Sequence, residues 1–295
     1  MSVSPSKPLF EQVTIIGVGL LGGSLGLLLR EKHLARRVIG VGRRIENLEL
    51  AVQLGAIDQF VLDAHETIGQ SDLVILATPV DTYLAHLQAW GKDLSPGAIV
   101  SDVGSVKGQL VLDVESALPS SVFFVGSHPI AGKEKSGVAY SEATLFQGSR
   151  CILTPTAQTN PEALGRIQDL WKATGSHVIS MDPMVHDWIL GAVSHLPHVV
   201  AFSLMHTLES LQERNPESQE LLAFSGGGLR DTTRIAASSP EMWRDICLAN
   251  GKNLSEMIDL YIHHLQTFKA AIEQQNSGNL YSSIKQAKDI RERLT

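Results

Sequence analysis

The length, composition and charge of the chain exclude several classes of protein. Its 295 residues, 43% hydrophobic and 19% charged, suffice for two globular domains with real cores. A net charge of −7 argues against nucleic-acid and anionic-membrane partners, since both bind basic surfaces. Cys151 and Cys247 lack the spacing of a disulfide framework or a zinc site. We expect a cytoplasmic protein, with neither a signal-peptide core nor an apolar run of the roughly 18 residues that a membrane span needs.

The first predicted element is a strand that runs into a glycine-rich turn and then a helix. Residues 13–16 form the strand, residues 17–22 the turn, and an apolar segment follows. In a dinucleotide-binding turn, Gly17 permits the tight turn, Gly19 lets the backbone approach a pyrophosphate, and Gly22 allows close packing of helix and strand. A structural glycine-rich turn is the alternative. The predicted dinucleotide-binding residues are Gly17, Val18, Gly19, Leu20, Leu21 and Gly22.

The end of the second predicted strand, residues 37–42, bears on the choice of coenzyme. NAD-binding units carry an acidic residue there for the ribose 2′-hydroxyl, but this chain has Gly42 followed by Arg43 and Arg44. Because Arg43 could pair with a 2′-phosphate, NADP is favoured over NAD. Two alternatives stay open: the arginines are solvated surface charges, and NAD is used, since one missing acid is weak grounds for excluding it.

Further strands are predicted at residues 72–76, 98–103, 122–126, 150–153 and 177–180, with a helix at 161–173. The carboxyl ends of parallel strands share the edge where ligands bind, so Thr78, Pro79 and Val103 are predicted to contact the coenzyme. Residues 1–183 are therefore expected to form a Rossmann-like, doubly wound α/β domain.

From Met184 onward the pattern is only helical. We predict helices over residues 185–213, after the glycines at 226–228, over 240–268 and over 280–294. The apolar stripe of the third helix is longer than a small domain can cover. Residues 184–295 are therefore predicted to form an all-α substrate-binding domain that pairs with a second copy as a homodimer.

Several polar residues are candidates for chemistry on a small-molecule substrate. His128, at a strand end, is a candidate general base that Ser105 could orient, although a lone histidine is commonly structural. His195 and His198 share a helix face on either side of Pro197, which predicts a kink. We expect them to contact a polar substrate and expect no metal, because no acidic or cysteine residue lies at ligand spacing.

Four motifs then occur in a familiar order, at residues 102–107, 127–132, 194–198 and 229–235 (DVGSVK, SHPIAG, SHLPH and LRDTTRI). Together they resemble the prephenate/arogenate (cyclohexadienyl) dehydrogenase family. The resemblance implies NAD(P)-dependent oxidative decarboxylation, either of prephenate to 4-hydroxyphenylpyruvate or of arogenate to tyrosine. Which of these two substrates is preferred stays open.

The resemblance also implies roles for individual residues. His128 would hydrogen-bond the substrate 4-hydroxyl and draw its proton, Ser105 would orient His128, and Arg234 would bind a substrate carboxylate. Trp243 matches a tryptophan that reaches in from the partner subunit. Lys133 stands where several relatives carry a small hydroxyl residue, and Asp231 could pair with the ammonium group of arogenate or cap a neighbour. The implied substrate-binding residues are Arg234, His195, His198, Ser194, Trp243, Asp231 and Lys133.

Two other functions fit parts of the sequence. A β-hydroxyacid dehydrogenase also joins a glycine-loop domain to helices, but it uses a lysine on the first helix of its second domain, where this chain has histidines. A non-catalytic NADP-binding sensor would keep the glycine loop but would have no reason to retain Ser105, His128 and Arg234 together.

Overall fold

The computed structural model describes residues 7–133, 135–215 and 220–294, and it divides into an α/β part and a helical part. The strands are β1 (Phe10–Ile16), β2 (Ala35–Val41), β3 (Gln59–Val61), β4 (Leu73–Leu76), β5 (Ile99–Asp102), β6 (Phe123–Val125), β7 (Ser127–Pro129), β8 (Arg150–Leu153) and β9 (His177–Ser180). The helices of the α/β part are α1 (Leu20–Glu31), α2 (Ile45–Gln53), α3 (Tyr83–Trp90), α4 (Gly108–Ala117) and α5 (Pro161–Ala173). The helical part contains α6 (Pro183–Leu190), α7 (Leu196–Arg214), α8 (Gly227–Thr233), α9 (Pro240–Ala249), α10 (Gly251–Glu273) and α11 (Ser277–Arg291).

Six parallel strands form the main sheet, in the order β3-β2-β1-β4-β5-β6. Apolar strand residues with helices on both faces build two buried clusters, so the Rossmann-like fold class is confirmed. The chain winds outward from β1 in one direction and from β4 in the other, so the carboxyl ends of these two strands flank the switch point where such sheets bind ligands.

The remaining strands form a separate sheet of three, in the order β7-β8-β9. The segment after β6 was expected to be only a strand end, but it is a short strand of its own. It runs antiparallel to β8, with His128 opposite Ile152. The ladder therefore fixes the backbone of His128 beside the carboxyl edge of the main sheet.

The glycine-rich turn has the geometry that its sequence predicts. Gly17 has φ +95°, and a Cβ there would lie 2.7 Å from the Ala77 carbonyl oxygen. A Cβ on Gly22 would lie 2.3 Å from the Gly17 carbonyl oxygen, so only glycine lets α1 approach β1 this closely. No atom lies within 4 Å of a Cβ built on Gly19, the residue that precedes α1. The turn thus presents open space to the start of a helix, as a bound pyrophosphate requires.

The predicted helix over residues 185–213 is interrupted by a π-turn, Gly191–His195, between α6 and α7. Within it the Leu196 N–H donates to the Gly191 carbonyl oxygen, a bond that spans five residues. The kink that Pro197 predicts is therefore a π-turn, which absorbs one extra residue directly before the proline.

The predicted long helix over residues 240–268 is in fact two helices, α9 and α10, that meet at Asn250. Asn250 leaves helical geometry with φ −104° and ψ 25°, and Gly251 follows it. The apolar stripe continues on both sides of this break, so hydrophobic periodicity alone could not reveal it.

In the described part of the chain, the run Pro183–Arg214 is long and apolar enough to cross a membrane, with a mean hydropathy of 1.4 over its most apolar window. The expectation that no apolar run reaches this length was therefore wrong. The run carries the buried polar residues His186, Asp187 and His195. Only 22% of that window is buried, and within α7 the one described residue that is buried is Ala201, so most of this apolar surface is not covered by the chain itself.

A long apolar face of α10 and α11 is exposed. Such a face is unusual on a single folded chain, where exposed apolar residues are normally scattered. Its members, all more than one third exposed, are Leu260, Tyr261, Ile262, Leu265, Phe268, Ile272, Tyr281, Ile284 and Ile290.

The glycine geometry predicts opposite effects of two alanine substitutions on stability. We expect Gly22→Ala to lower the free energy of unfolding by about 1–3 kcal/mol, because the new methyl group collides with backbone. Gly165→Ala, inside α5 with no atom within 4 Å of the added Cβ, should raise it by about 0.5–1 kcal/mol. Urea unfolding of both variants measures the difference, and equal shifts would contradict the packing argument.

Candidate active site

Four histidines gather between the carboxyl edge of the main sheet and the helical part. His128 comes from β7, His186 from α6, His195 from the π-turn and His198 from α7. His128, His186 and His195 are buried, and the rings of His128 and His186 meet edge to face with centroids 5.1 Å apart. Buried titratable groups that lie together near a ligand edge mark a candidate catalytic site.

A chain of hydrogen bonds connects His128 to a carboxylate. His128 Nδ1 lies 2.8 Å from His186 Nε2, and His186 Nδ1 lies 2.8 Å from Asp187 Oδ1. The same carboxylate oxygen accepts the backbone N–H of Lys107 at 2.7 Å, just before α4 begins. The carboxylate is therefore fixed from both parts of the chain.

This chain determines which nitrogen of His128 carries the proton. An ionised carboxylate only accepts hydrogen bonds, so Asp187 requires the proton of His186 on Nδ1. The Nε2 atom of neutral His186 is then an acceptor, and His128 must donate to it from Nδ1. His128 is left with an unprotonated Nε2, which is the atom a general base needs.

The environment keeps His128 neutral. Burial, and then the positive charge of Lys107, hold the pKa of His128 well below its usual value, with His186 and His195 acting in the same direction. Burial also lowers the pKa of His186, although its bond to Asp187 opposes this. Both rings are thus neutral at physiological pH, as the hydrogen-bond directions require.

A buried ion pair helps to hold the strand that carries His128. Lys107 Nζ lies 2.7 Å from Asp102 Oδ2, and both side chains are almost fully buried. Asp102 also accepts the backbone N–H groups of Gly104 at 2.8 Å and Ser127 at 3.0 Å, so its charge is well compensated. The bond to Ser127 holds β7, and hence His128, against the end of β5.

The two histidines of the SHLPH motif have different surroundings. His198 stacks on Trp243 with ring centroids 3.6 Å apart, and its Nδ1 donates to the Ser194 carbonyl oxygen at 2.9 Å. His195 meets Trp243 edge to face, with centroids 5.9 Å apart. Trp243 is 6% exposed, and its buried Nε1–H has no hydrogen-bond partner in the part of the chain described.

Comparison with known proteins decides the family. The family description "Prephenate dehydrogenase, nucleotide-binding domain" matches residues 25–180, and "Prephenate dehydrogenase, dimerization domain" matches residues 182–286. The chain belongs to the prephenate dehydrogenase family. The resemblance that the four motifs indicate is thereby confirmed.

Individual members of the family are similar along nearly the whole chain. Prephenate dehydrogenase of Bacillus subtilis (strain 168) is 36% identical over 96% of this chain and 76% of its own length. Cyclohexadienyl dehydrogenase of Zymomonas mobilis is 31% identical over 96% of this chain and 95% of its own. The structure of A. aeolicus prephenate dehydrogenase with hydroxyphenyl propionate and NAD+ is 38% identical, with a TM-score of 0.90 and 100% of both chains covered.

The structure bears on two of the roles that the prephenate dehydrogenase resemblance implies, and it corrects one of them. Ser105 is half-buried near the end of β5, but no hydrogen bond between it and His128 occurs among the described residues. The group that orients His128 is His186; a contact between Ser105 and substrate stays a prediction. Trp243 stacks on His198 of its own chain; its contact with a partner subunit stays a prediction.

The other predicted substrate residues lie further out. Lys133 pairs with Glu142 at 2.5 Å, and the role toward substrate that the resemblance implies for it stays a prediction. Asp231 and Arg234 are exposed on and just after α8. Arg234 is close enough to His198 for its charge to help lower the pKa of that ring, after the larger effect of burial. The guanidinium group of Arg234 is therefore near His198, at the side of the histidine cluster that α7 supplies.

The predicted coenzyme residues follow the strand ends as expected. Thr78 and Pro79 come after β4, and Val103 comes after β5 and is buried. Arg43 and Arg44 are exposed after β2, and Arg44 precedes α2 as its N-cap. The open turn at Gly19 and these strand ends fit a dinucleotide. No cluster of three metal-ligating side chains occurs in residues 7–133, 135–215 and 220–294.

Sequence reasoning missed His186, Asp187, Lys107 and Asn250 as site residues. Asp187 and His186 carried a usable signal, because adjacent ionisable residues on an otherwise apolar helix are seldom buried without a partner. Lys107 is the last residue of the motif at residues 102–107, but the sequence indicated no role for it. Asn250 gave no signal, since its contacts depend on a break between two helices.

The relay to His128 predicts the effect of removing its middle member. We expect His186→Ala to lower kcat by about 10²-fold, because His128 then loses the acceptor that holds its proton on Nδ1. His186→Gln, whose amide oxygen can still accept, should recover part of the loss. Steady-state kcat at saturating substrate and coenzyme is the measurement, with thermal unfolding as a check on folding. An unchanged kcat in His186→Ala would refute the relay.

The buried histidines also predict that stability depends on pH. Burial lowers the folded-state pKa of each ring, that of His195 to about 4, so below pH 6.5 the unfolded chain binds more protons. The contribution of these neutral histidines to the free energy of unfolding is fully present above about pH 6.5. It is lost as pH falls toward 4, at up to about 1.4 kcal/mol per pH unit for each histidine. Urea unfolding at pH 7.5 and pH 5 measures the slope. His195→Gln should reduce it, and a flat profile would contradict the argument.

Proposed function

We propose that this chain oxidises and decarboxylates prephenate or arogenate with a nicotinamide coenzyme. One observation carries the proposal: the Asp187–His186 chain leaves His128 with an unprotonated Nε2, next to the carboxyl edge of the sheet at which the dinucleotide turn also lies. A base next to a hydride acceptor is what alcohol oxidation requires. The names of the relatives from Bacillus subtilis and Zymomonas mobilis support the same substrates.

In this mechanism His128 and Arg234 fix the two reacting ends of the substrate. His128 Nε2 accepts the proton of the ring hydroxyl group, and His186 and Asp187 stabilise the charge that forms on the imidazole. A bound nicotinamide supplies the acceptor for the hydride that leaves the carbon bearing this hydroxyl. Arg234 binds a substrate carboxylate, while the ring carboxylate leaves as CO₂ and its electron pair makes the ring aromatic.

NADP is the coenzyme we propose. Gly42 offers no carboxylate to a ribose 2′-hydroxyl, and the exposed Arg43 next to it can pair with a 2′-phosphate. NAD remains the alternative, because the A. aeolicus relative was solved with NAD+.

The function is tested by formation of reduced coenzyme at 340 nm, with prephenate or arogenate combined with NADP or NAD. Activity in at least one of the four combinations is expected, strongest with NADP. His128→Asn should lower kcat by about 10²–10⁴-fold with little change in KM. Absence of turnover in every combination, with coenzyme still bound, would overturn the function and support a non-catalytic coenzyme sensor.

A single substitution tests the coenzyme proposal. We expect Arg43→Ala to raise the KM for NADP about tenfold or more, since a charged hydrogen bond is lost, and to leave the KM for NAD nearly unchanged. Arg36→Ala is the matched control, because Arg36 lies near the start of β2 and pairs with Glu11 at 3.4 Å. Equal effects on NADP and NAD would contradict a 2′-phosphate contact.

We also propose that the chain forms a homodimer through the exposed apolar face of α10 and α11. The support is that face itself, together with the match of residues 182–286 to a dimerization domain. Sedimentation equilibrium should give twice the chain mass of 32.0 kDa, whereas a single-chain mass at micromolar concentration would contradict the proposal.

A further inference from the structure

We propose that Asn250 is a positioning residue that holds the proton of His195 on Nε2, so that His195 donates a hydrogen bond to the substrate. The inference rests on the proposed function, since it assigns a role toward the same substrate. It starts from the break between α9 and α10, which brings the side chain of Asn250 to the histidine cluster.

Two hydrogen bonds fix the orientation of the Asn250 amide. Its Nδ2 lies 2.7 Å from the backbone carbonyl oxygen of Asp187, which can only accept. Its Oδ1 accepts from Asn253 Nδ2 at 2.8 Å, on the other side of the group. A flipped amide would place Oδ1 of Asn250 against the carbonyl oxygen of Asp187, and two acceptors repel each other. Because Asn250 is only 3% exposed, bulk water cannot compensate for this contact.

The second proton of Nδ2 then determines the state of His195. Asn250 Nδ2 lies 3.0 Å from His195 Nδ1, and because the amide nitrogen only donates, His195 Nδ1 must accept. The proton of neutral His195 is therefore on Nε2. Burial lowers the pKa of His195 to about 4, so the ring stays neutral at physiological pH.

Charged and titratable groups face His195 from each neighbouring element. Asp187 and His186 lie on α6, and His198 lies on α7; the carboxylate raises the pKa of His195, whereas the two histidines lower it. His128 on β7 also interacts with it. These groups change the pKa of His195 less than burial does, so the ring stays neutral with its proton on Nε2.

The local backbone is shaped for this contact. A Cβ on Gly191, the first residue of the π-turn, would lie 3.2 Å from Asn250 Nδ2 and 3.1 Å from Met257 Sδ. Glycine therefore lets Asn250 reach between α6 and the π-turn. A larger side chain at position 191 would displace the Asn250 amide, so the packing of the π-turn depends on this contact.

The result is a pair of complementary histidines. His128 presents an acceptor at Nε2, and His195 presents a donor at Nε2. A cyclohexadienyl acid offers one hydroxyl donor together with carboxylate and carbonyl acceptors. Asn250 therefore makes His195 the partner for a substrate oxygen, and it prevents the two rings from competing for the same hydroxyl proton.

Nitrogen-15 NMR of histidine-labelled protein tests the proton position directly. The His195 signals are assigned by their loss in His195→Gln. Between pH 5.5 and 8 we expect a protonated Nε2 and an unprotonated Nδ1 at His195, with the opposite pattern at His128. Protonated Nδ1, or exchange-averaged shifts at His195, would overturn the proposal. This measurement holds whether or not the protein turns over a cyclohexadienyl acid, so it separates failure of this inference from failure of the proposed function.

Kinetics of two variants test the consequence for substrate. Asn250→Asp replaces the donor with an acceptor, which moves the His195 proton to Nδ1 and removes the donor at Nε2. We expect the KM for the preferred substrate to rise about tenfold or more, with the KM for coenzyme within about twofold. The rise should be larger at alkaline than at acidic pH, because the new carboxylate favours imidazolium, which again carries a proton on Nε2.

The matched control is Asn253→Ala, which removes a bond to the same amide but leaves both Nδ2 contacts. We expect its substrate KM within about twofold of the wild type and an unshifted pH profile. Equal changes in Asn250→Asp and Asn253→Ala would show that Asn250 is merely structural. If Asn250→Asp does not fold, the NMR pattern of the wild-type protein still decides the proposal.

Discussion

The residue Asp187 receives hydrogen bonds from both parts of the chain. Its carboxylate accepts from the backbone of Lys107 and from the ring of His186, and its carbonyl oxygen accepts from Asn250. A Cβ on Gly108 would lie 2.5 Å from Oδ2, so the start of α4 fits closely around this group. The positions of the catalytic rings relative to the sheet depend on this residue, because α6 carries it directly beside His186.

Such a buried carboxylate is tolerated because its hydrogen-bonding capacity is used. The nearby Asp102–Lys107 pair follows the same rule, with several backbone N–H groups sharing the negative charge. The site therefore contains ionised groups whose positions are set before substrate arrives. Preorganised charges and fixed proton positions require no rearrangement during the reaction.

The features of this protein that the sequence predicts are those determined by residues close to each other in the chain or on adjacent strands. The glycine pattern of residues 17–22 specifies its turn because an added Cβ on Gly17 would collide with the backbone of Ala77, and one on Gly22 with the backbone of Gly17. His128 was predicted from its place at a strand end. Its partner His186 lies 58 positions further along the chain, and only tertiary packing brings them together. The break at Asn250 escaped prediction because apolar periodicity continues through it, and the second sheet because a three-residue strand has too few positions to show a pattern.

The π-turn changes the angle between the directions in which His186 and His195 project from the helix axis. His186 and His195 are nine residues apart, and an uninterrupted α-helix would advance about 900° over that interval, leaving them on opposite sides of the axis. Absorbing one residue in the Gly191–His195 segment reduces the advance to about 800°, so the two side chains project only about 80° apart. One continuous helical segment thereby supplies both His186, the relay to the base, and His195, a second ring, to the same cluster of histidines.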